Sequence, residues 1–227
     1  MDPTLTERTD DGHPLPVLVW RLPAPRRTIS SAVLGGGIGE HHWILNATVP
    51  LAYTRGDPDR HAAEIAAGLG LAGTGAGLLT AVDVTRHHGA ADGGVHATAT
   101  VGISSPAWAA APDGDFRREL PAHVPPDPAG LRYAPGTINV VVAVPVPLGP
   151  GALVNAVLTA TEAKTQALVE LGVRATGTAS DAIVVHCPTE GRDEPYAGPR
   201  SVWGARLARA VHAAVRDGTR AWLVRPR

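Results

Sequence analysis

The sequence predicts an α/β fold: a layered single domain with a mixed sheet around a buried central helix, with α+β as the nearest variant. Three observations carry this expectation. Residues 137–144 and 181–186 are near-continuous apolar runs, as found in strands buried on both faces. A helical stretch over about 151–171 separates them, and strand–helix–strand order favours parallel pairing. The segments before them are short, rich in β-branched and aromatic residues, and punctuated by Pro and Gly.

Taken in order, residues 1–16 carry charges and three prolines and read as a flexible leader, leaving 17–227 as the domain. Residues 17–22 form a strand between Pro16 and Pro23, and 28–34 a second, stopped by three glycines. Residues 43–49 form a third strand. Residues 57–68 form a helix, with Pro58 in its first turn and Ile65, Ala66 and Leu69 on its apolar side. A turn over 70–77 leads to strands at 78–84 and 95–103. Residues 107–135 are Pro-rich without a period and read as a surface loop or flap. A last helix covers 202–215, where Trp203, Leu207 and Val211 read as packing residues.

Composition excludes several classes of function. At 227 residues the chain can bury a substantial core, and 44% apolar against 18% charged residues is globular, not disordered. A net charge of -1 argues against nucleic acid as a partner. Cys187 is the sole cysteine, so no intrachain disulfide forms. No apolar run is long enough to span a bilayer, and the first residues lack an apolar signal core; a cytoplasmic protein is the expectation. A homo-oligomer stays open.

One lysine, Lys164, stands against nineteen arginines. Lysine differs from arginine in carrying a compact ammonium that can lose its proton when desolvated. On a wheel of the 151–171 helix, Asn155, Thr159, Glu162 and Gln166 share one stripe, and Lys164 lies nearly opposite among Val157, Ala160, Leu168 and Leu171. Residues two apart do not face each other, so Glu162 is not its partner. Lys164 needs a carboxylate from another segment, or a snorkelling path to water. Asp181 is the first candidate. It closes Gly177-Thr-Ala-Ser-Asp181, a turn that offers N–H groups, a hydroxyl and a carboxylate at one spot, and that also suits ordinary turn bonding.

All three asparagines, Asn46, Asn139 and Asn155, fall in or beside predicted core elements, which implies an amide-lined polar pocket. Asp83, His87, His88 and His96 have irregular spacing for a metal site, and His41-His42 is no better; a catalytic metal is not expected. The glycines at 35–37 do not open a helix with dinucleotide-binding spacing.

Several of these blocks together resemble the adenosylcobinamide amidohydrolase family. They are Ser30-Ser-Ala-Val-Leu-Gly-Gly-Gly37, Asn46-Ala-Thr-Val-Pro50, Pro135-Gly-Thr-Ile-Asn139, Asn155-Ala-Val-Leu-Thr-Ala-Thr-Glu-Ala-Lys164, Gly177-Thr-Ala-Ser-Asp-Ala182 and Tyr196-Ala-Gly-Pro199 before Trp203-Gly204. Ser180 stands where the resemblance leads one to expect threonine, and residues 83–135 carry no match. The resemblance implies corrinoid salvage, by hydrolysis of adenosylcobinamide to adenosylcobyric acid and 1-amino-2-propanol. It implies a substrate that carries a cobalt corrinoid; the sequence itself requires no cofactor.

Amide hydrolysis needs an activated nucleophile, an oxyanion donor and an acid for the leaving amine. On this reading Glu162 or Asp181 activates water. Asn139 or the Gly177-Thr178 backbone stabilises the oxyanion, and Lys164 protonates the amine or holds the carboxylate. Thr178 or Thr161 as nucleophile is the second route. Ser30, Ser31, Asn46, Asn139, Asn155, Thr159 and Thr161 are the expected substrate contacts, with Trp43, Trp108 or Trp203 at the pocket edge. A non-catalytic corrinoid-binding protein and a hydrolase of another amide are the alternatives.

Overall fold

The computed structural model describes residues 2–10, 12–112 and 136–224. Its centre is an eight-stranded mixed sheet. The strands are β1 (Thr4–Asp10), β2 (His13–Ser30), β3 (Gly37–Thr48), β4 (Gly75–Thr80), β5 (His88–Asp92), β6 (Val95–Val101), β8 (Ile138–Ala143) and β10 (Ala182–Cys187). A separate ribbon pairs β7 (Pro106–Ala107) with β9 (Gly177–Thr178). Three helices complete the fold: α1 (Pro58–Gly68), α2 (Pro150–Glu170) and α3 (Val202–Leu223).

The sheet order is β4-β3-β2-β10-β8-β6-β5. β8 and β10 pair in parallel with α2 as their crossover, as the strand–helix–strand pattern predicts. β3 and β4 form the other parallel pair, and the remaining pairings are antiparallel. β2 merges the two strands expected at 17–22 and 28–34. Its register against β3 slips between Arg21 and Arg26, where Pro23 and Pro25 cannot donate to a ladder. On its other edge, β1 pairs with the first half of β2 and β10 with the second.

The flexible leader expected at 1–16 is corrected by this pairing: it supplies β1 and the start of β2. Asp10 pairs with His13, and Gly12, just before His13, is at φ 80°. β1 carries polar residues on both faces and so lacks the apolar period that reveals a half-buried strand. β5 escapes notice for a related reason. It is short, and its turn to β6 is Gly93-Gly94, both at positive φ. Most of the expected Pro-rich flap, residues 113–135, lies outside the described residues.

Alternation divides the sheet's side chains between two cores. Ala97, Ala99, Val140, Val142, Ile183 and Val185 face α2 and α3. Leu18, Trp20, Ile44, Leu78, Val141 and Val184 face the opposite way. A third cluster under α1 holds Val17, Val19, Leu45 and Ile65. The second face is folded in on itself. Asn46 on β3 donates to Thr100 on β6 at 3.0 Å, although four strand spacings separate them in the sheet order. Those spacings would total about 19 Å in a flat sheet. The sheet therefore curls until β3 and β4 meet β6 and β8, without closing into a barrel.

α2 corrects the expected buried central helix. Its alanine side packs inward, but Val154, Leu158, Thr161, Glu162 and Val169 are exposed, so the helix is an outer layer. Its apolar circumference exceeds what it buries.

Candidate active site

Lys164 and Asp181 meet. Their side chains are 7% and 10% exposed and form a salt bridge through Nζ and Oδ2. Asp181 Oδ2 also accepts from the Thr178 N–H at 3.1 Å. Asp181 Oδ1 accepts from the Ile138 N–H at 2.9 Å and from the Thr178 hydroxyl at 2.5 Å. Four donors thus surround one carboxylate, which accounts for its lone-pair directions. The sequence builds this locally. Gly177 and Thr178 form β9, the turn brings Asp181 back, and α2 delivers Lys164 from the other side. Gly177 has no substitute here, because a Cβ would strike both Asp181 Oδ2 and Lys164 Nζ.

Asp181 lines a cavity of about 530 Å³ on the inner face of the sheet. Thr137, Asn139, Ser180 and Ala182 line it from the amino ends of β8 and β10. Val49, Thr80 and Ala81 line it from the carboxyl ends of β3 and β4. Its rim carries Val33 and Leu51, which are 47% and 58% exposed. Pockets of a few hundred Å³, apolar with a few convergent polar groups, are typical small-molecule sites.

Asn139 is 1% exposed and stands opposite Ala182 in the parallel register. Its Nδ2 donates to Asn46 Oδ1 at 2.9 Å and to the Leu79 carbonyl at 3.1 Å. A carbonyl only accepts, so the Leu79 contact sets which way the amide points. Both of its N–H donors are committed, and the Thr178 N–H is spent on Asp181; neither is free to bind an oxyanion. Asn46 lies behind Asn139 as its support and does not line the cavity.

The other expected residues separate. Ser31 lines the cavity, and its Oγ accepts from the Ile183 N–H at 3.0 Å. Ser30 instead accepts from the Ala32 N–H in a turn. Thr159 is buried but donates to the Ala197 carbonyl, tying α2 to the segment before α3. Thr161 donates to Val157 one turn back, and its side of α2 is exposed. Glu162 is exposed on that outer side and lines no part of the cavity. Asn155 is exposed, bonds the Gly151 carbonyl, and borders a separate open recess with Tyr196. Trp43 is buried, donating to the Gly73 carbonyl, and Trp203 lies under the Arg206 guanidinium; neither borders the cavity, nor does Trp108.

Thr137 and Ser180, which share a hydrogen bond of 2.8 Å, are cavity residues that the sequence reading did not single out as such. Period two along 137–139 places Thr137 with Asn139, a signal available once Asn139 is assigned to a pocket. Asp83 caps its own turn through Thr85, and no metal-holding group of three or more His, Cys, Asp or Glu side chains occurs among the described residues. No helix among them is long and apolar enough to cross a membrane.

A curled α/β sheet, a polar-floored cavity and a threonine–aspartate–lysine cluster define a small-molecule enzyme domain. Comparison with known proteins makes this specific: the model of the adenosylcobinamide amidohydrolase family matches residues 2–226, and the chain belongs to that family. An adenosylcobinamide amidohydrolase of Methanosarcina mazei is 29% identical over 197 residues, covering 83% of this chain and 88% of the relative. One of Halobacterium salinarum is 37% identical over 147 residues, covering 64% of this chain and 57% of the relative.

Proposed function

We propose that this protein hydrolyses the amide joining the aminopropanol arm to the corrin ring of adenosylcobinamide. The products are adenosylcobyric acid and 1-amino-2-propanol, and the step serves corrinoid salvage. Family membership supports the substrate. The observation that carries the chemistry is the Thr178 hydroxyl held on Asp181 at 2.5 Å, with Lys164 behind that carboxylate.

In this mechanism Thr178 Oγ attacks the amide carbon while its proton passes to Asp181. The tetrahedral intermediate collapses, the C–N bond breaks, and that proton leaves on the amine. Water then hydrolyses the Thr178 ester, freeing the corrin acid and restoring the hydroxyl. Lys164 is a positioning residue that holds Asp181 in place through its salt bridge. The four hydrogen bonds on Asp181 favour this route over direct activation of water, because the threonine already occupies the base. The cavity, whose wall includes Asp181 but not Thr178, takes the arm up against that carboxylate, on which the Thr178 hydroxyl is held, and the macrocycle rests on the apolar rim of Val33 and Leu51.

Incubation with adenosylcobinamide followed by mass spectrometry tests the proposal. Equimolar 1-amino-2-propanol and adenosylcobyric acid are expected, and Thr178→Val abolishes both in a protein that stays folded, at a cost of about 1–3 kcal/mol for the lost hydrogen bond to Asp181. Binding without product would make the protein a corrinoid carrier instead.

A further inference from the structure

Attack on an amide carbonyl puts negative charge on its oxygen, and a donor must be waiting there. Around the cavity most donors are already spent. The Ile138 and Thr178 N–H groups go to Asp181, and those of the Asn139 amide to Asn46 and Leu79. Thr137 and Ser180 share a hydrogen bond, and Ser180 Oγ reaches the Gly136 carbonyl at 3.3 Å; in that order both protons have acceptors. Ser31 differs. It lines the cavity and is exposed. Two bonds of 3.0 Å clamp it to Ile183: its N–H donates to the Ile183 carbonyl, and its Oγ accepts from the Ile183 N–H. The side chain stands in for a strand carbonyl, just past the pairing of Ser30 with Val184 in the β2–β10 ladder. A hydroxyl oxygen that accepts keeps its own proton to give. Among the described residues no acceptor takes that proton, and the bond from Ile183 polarises the O–H into a better donor. Thr80 Oγ also accepts a backbone N–H, but Thr80 is 2% exposed and stands on β4, away from the strand that carries Asp181.

We infer that Ser31 is a further catalytic residue, whose hydroxyl donates to the carbonyl oxygen of the scissile amide and to the oxyanion that forms from it. Ile183 lies two residues from Asp181, so Ser31 Oγ is within about 10 Å of the Asp181 backbone, the scale of one amide with a hydrogen bond at either end. Both residues line the same cavity. This rests on the proposed hydrolysis, and not on which oxygen attacks, since every route charges the same carbonyl oxygen. The Ser31 proton is lent and not transferred. The Ile183 N–H holds the oxygen in place before the reaction, so the donor needs no reorganisation when charge develops.

Steady-state turnover of adenosylcobinamide by the full chain, read as release of 1-amino-2-propanol, tests the role. Ser31→Ala should lower kcat roughly hundredfold, the usual loss for one oxyanion donor, and move KM by under about threefold. Ser31→Thr keeps the hydroxyl and should bring kcat back to within about tenfold of the wild type. A residue that only fastened β2 to β10 would lose thermal stability in Ser31→Ala and keep its kcat. That result, a loss confined to KM, or a Ser31→Thr no faster than Ser31→Ala would each overturn the inference. Should Ser31→Ala fail to fold, Ser31→Cys replaces it. Its thiol is a weak donor, so the same fall in kcat is expected, and a kcat equal to the wild type's overturns the role. A wild type that leaves adenosylcobinamide intact sinks the proposed function and this inference together. A wild type that cleaves it, beside an equally active Ser31→Ala, sinks this inference alone.

Discussion

The sheet solves two different problems on its two faces. Under α2 and α3, β6, β8 and β10 present Val, Ala, Ile and Cys, and need only be filled. The inner face mixes Leu18, Trp20 and Ile44 with Asn46, Thr98, Thr100, Asn139 and His186, all buried. There each polar group requires a partner of the right kind as well as volume. Where partners are complete, as around Asp181, the chain has a rigid corner. Where they stop short, as at Asn139 Oδ1 and both nitrogens of His186, it carries a cost or a ligand.

The contrast breaks most sharply at Asp181. Asp181→Ala strands the Lys164 ammonium, and a loss of about 3–5 kcal/mol in urea unfolding is expected from leaving a buried charge unpaired. Pairing that change with Lys164→Met should recover most of the stability and none of the turnover. A single substitution costing under about 1 kcal/mol would show that the polar corner is not the matched network its geometry describes.

His186 supplies the next test. Burial, reinforced by the positive charge of Arg26, pushes this imidazole down to about 3. Unfolded, the same ring titrates near 6.5. Between those values the unfolded chain binds a proton that the native state refuses. Its contribution is complete above about pH 6.5 and falls by about 1.4 kcal/mol per unit as pH drops toward 3. Urea midpoints from pH 6.5 to 4.5 should show this slope flattened in His186→Leu relative to the wild type. Parallel slopes would refute it.

The smallest effect is expected on the outer side of α2. Glu162→Gln should change stability by under about 0.5 kcal/mol and leave kcat and KM for adenosylcobinamide unchanged, as for a solvated surface residue. A drop in kcat would return Glu162 to the machinery and sharpen the question of what covers α2.

Much of the fold was legible from pattern. The two continuous apolar runs announced β8 and β10, the helix between them announced the parallel crossover, and Pro58 marked the start of α1. β1 was not legible by period, yet the Asp-Gly pair at 11–12 is a hairpin signal that a turn-based reading would catch. Of the site, the wheel separated Lys164 from Glu162 and directed it to Asp181, and the structure joins that pair. It could not separate a buried asparagine from an exposed one at equal apolar surroundings. Asn155 thus fell on the surface while Asn46 and Asn139 met in the core.

By itself the sequence determined which residues carry charge and hydrogen-bonding capacity inside apolar elements, because helix and strand periods are local. It also carried the family, because those blocks keep their order along the chain. Only the tertiary structure decided that the sheet curls. That curl brings β3 and β4 against β6 and β8, spends both N–H groups of Asn139 and leaves its oxygen buried without a partner among the described residues. Contacts across four strands depend on accumulated twist and on the proline-marked slip in β2, which no local period records.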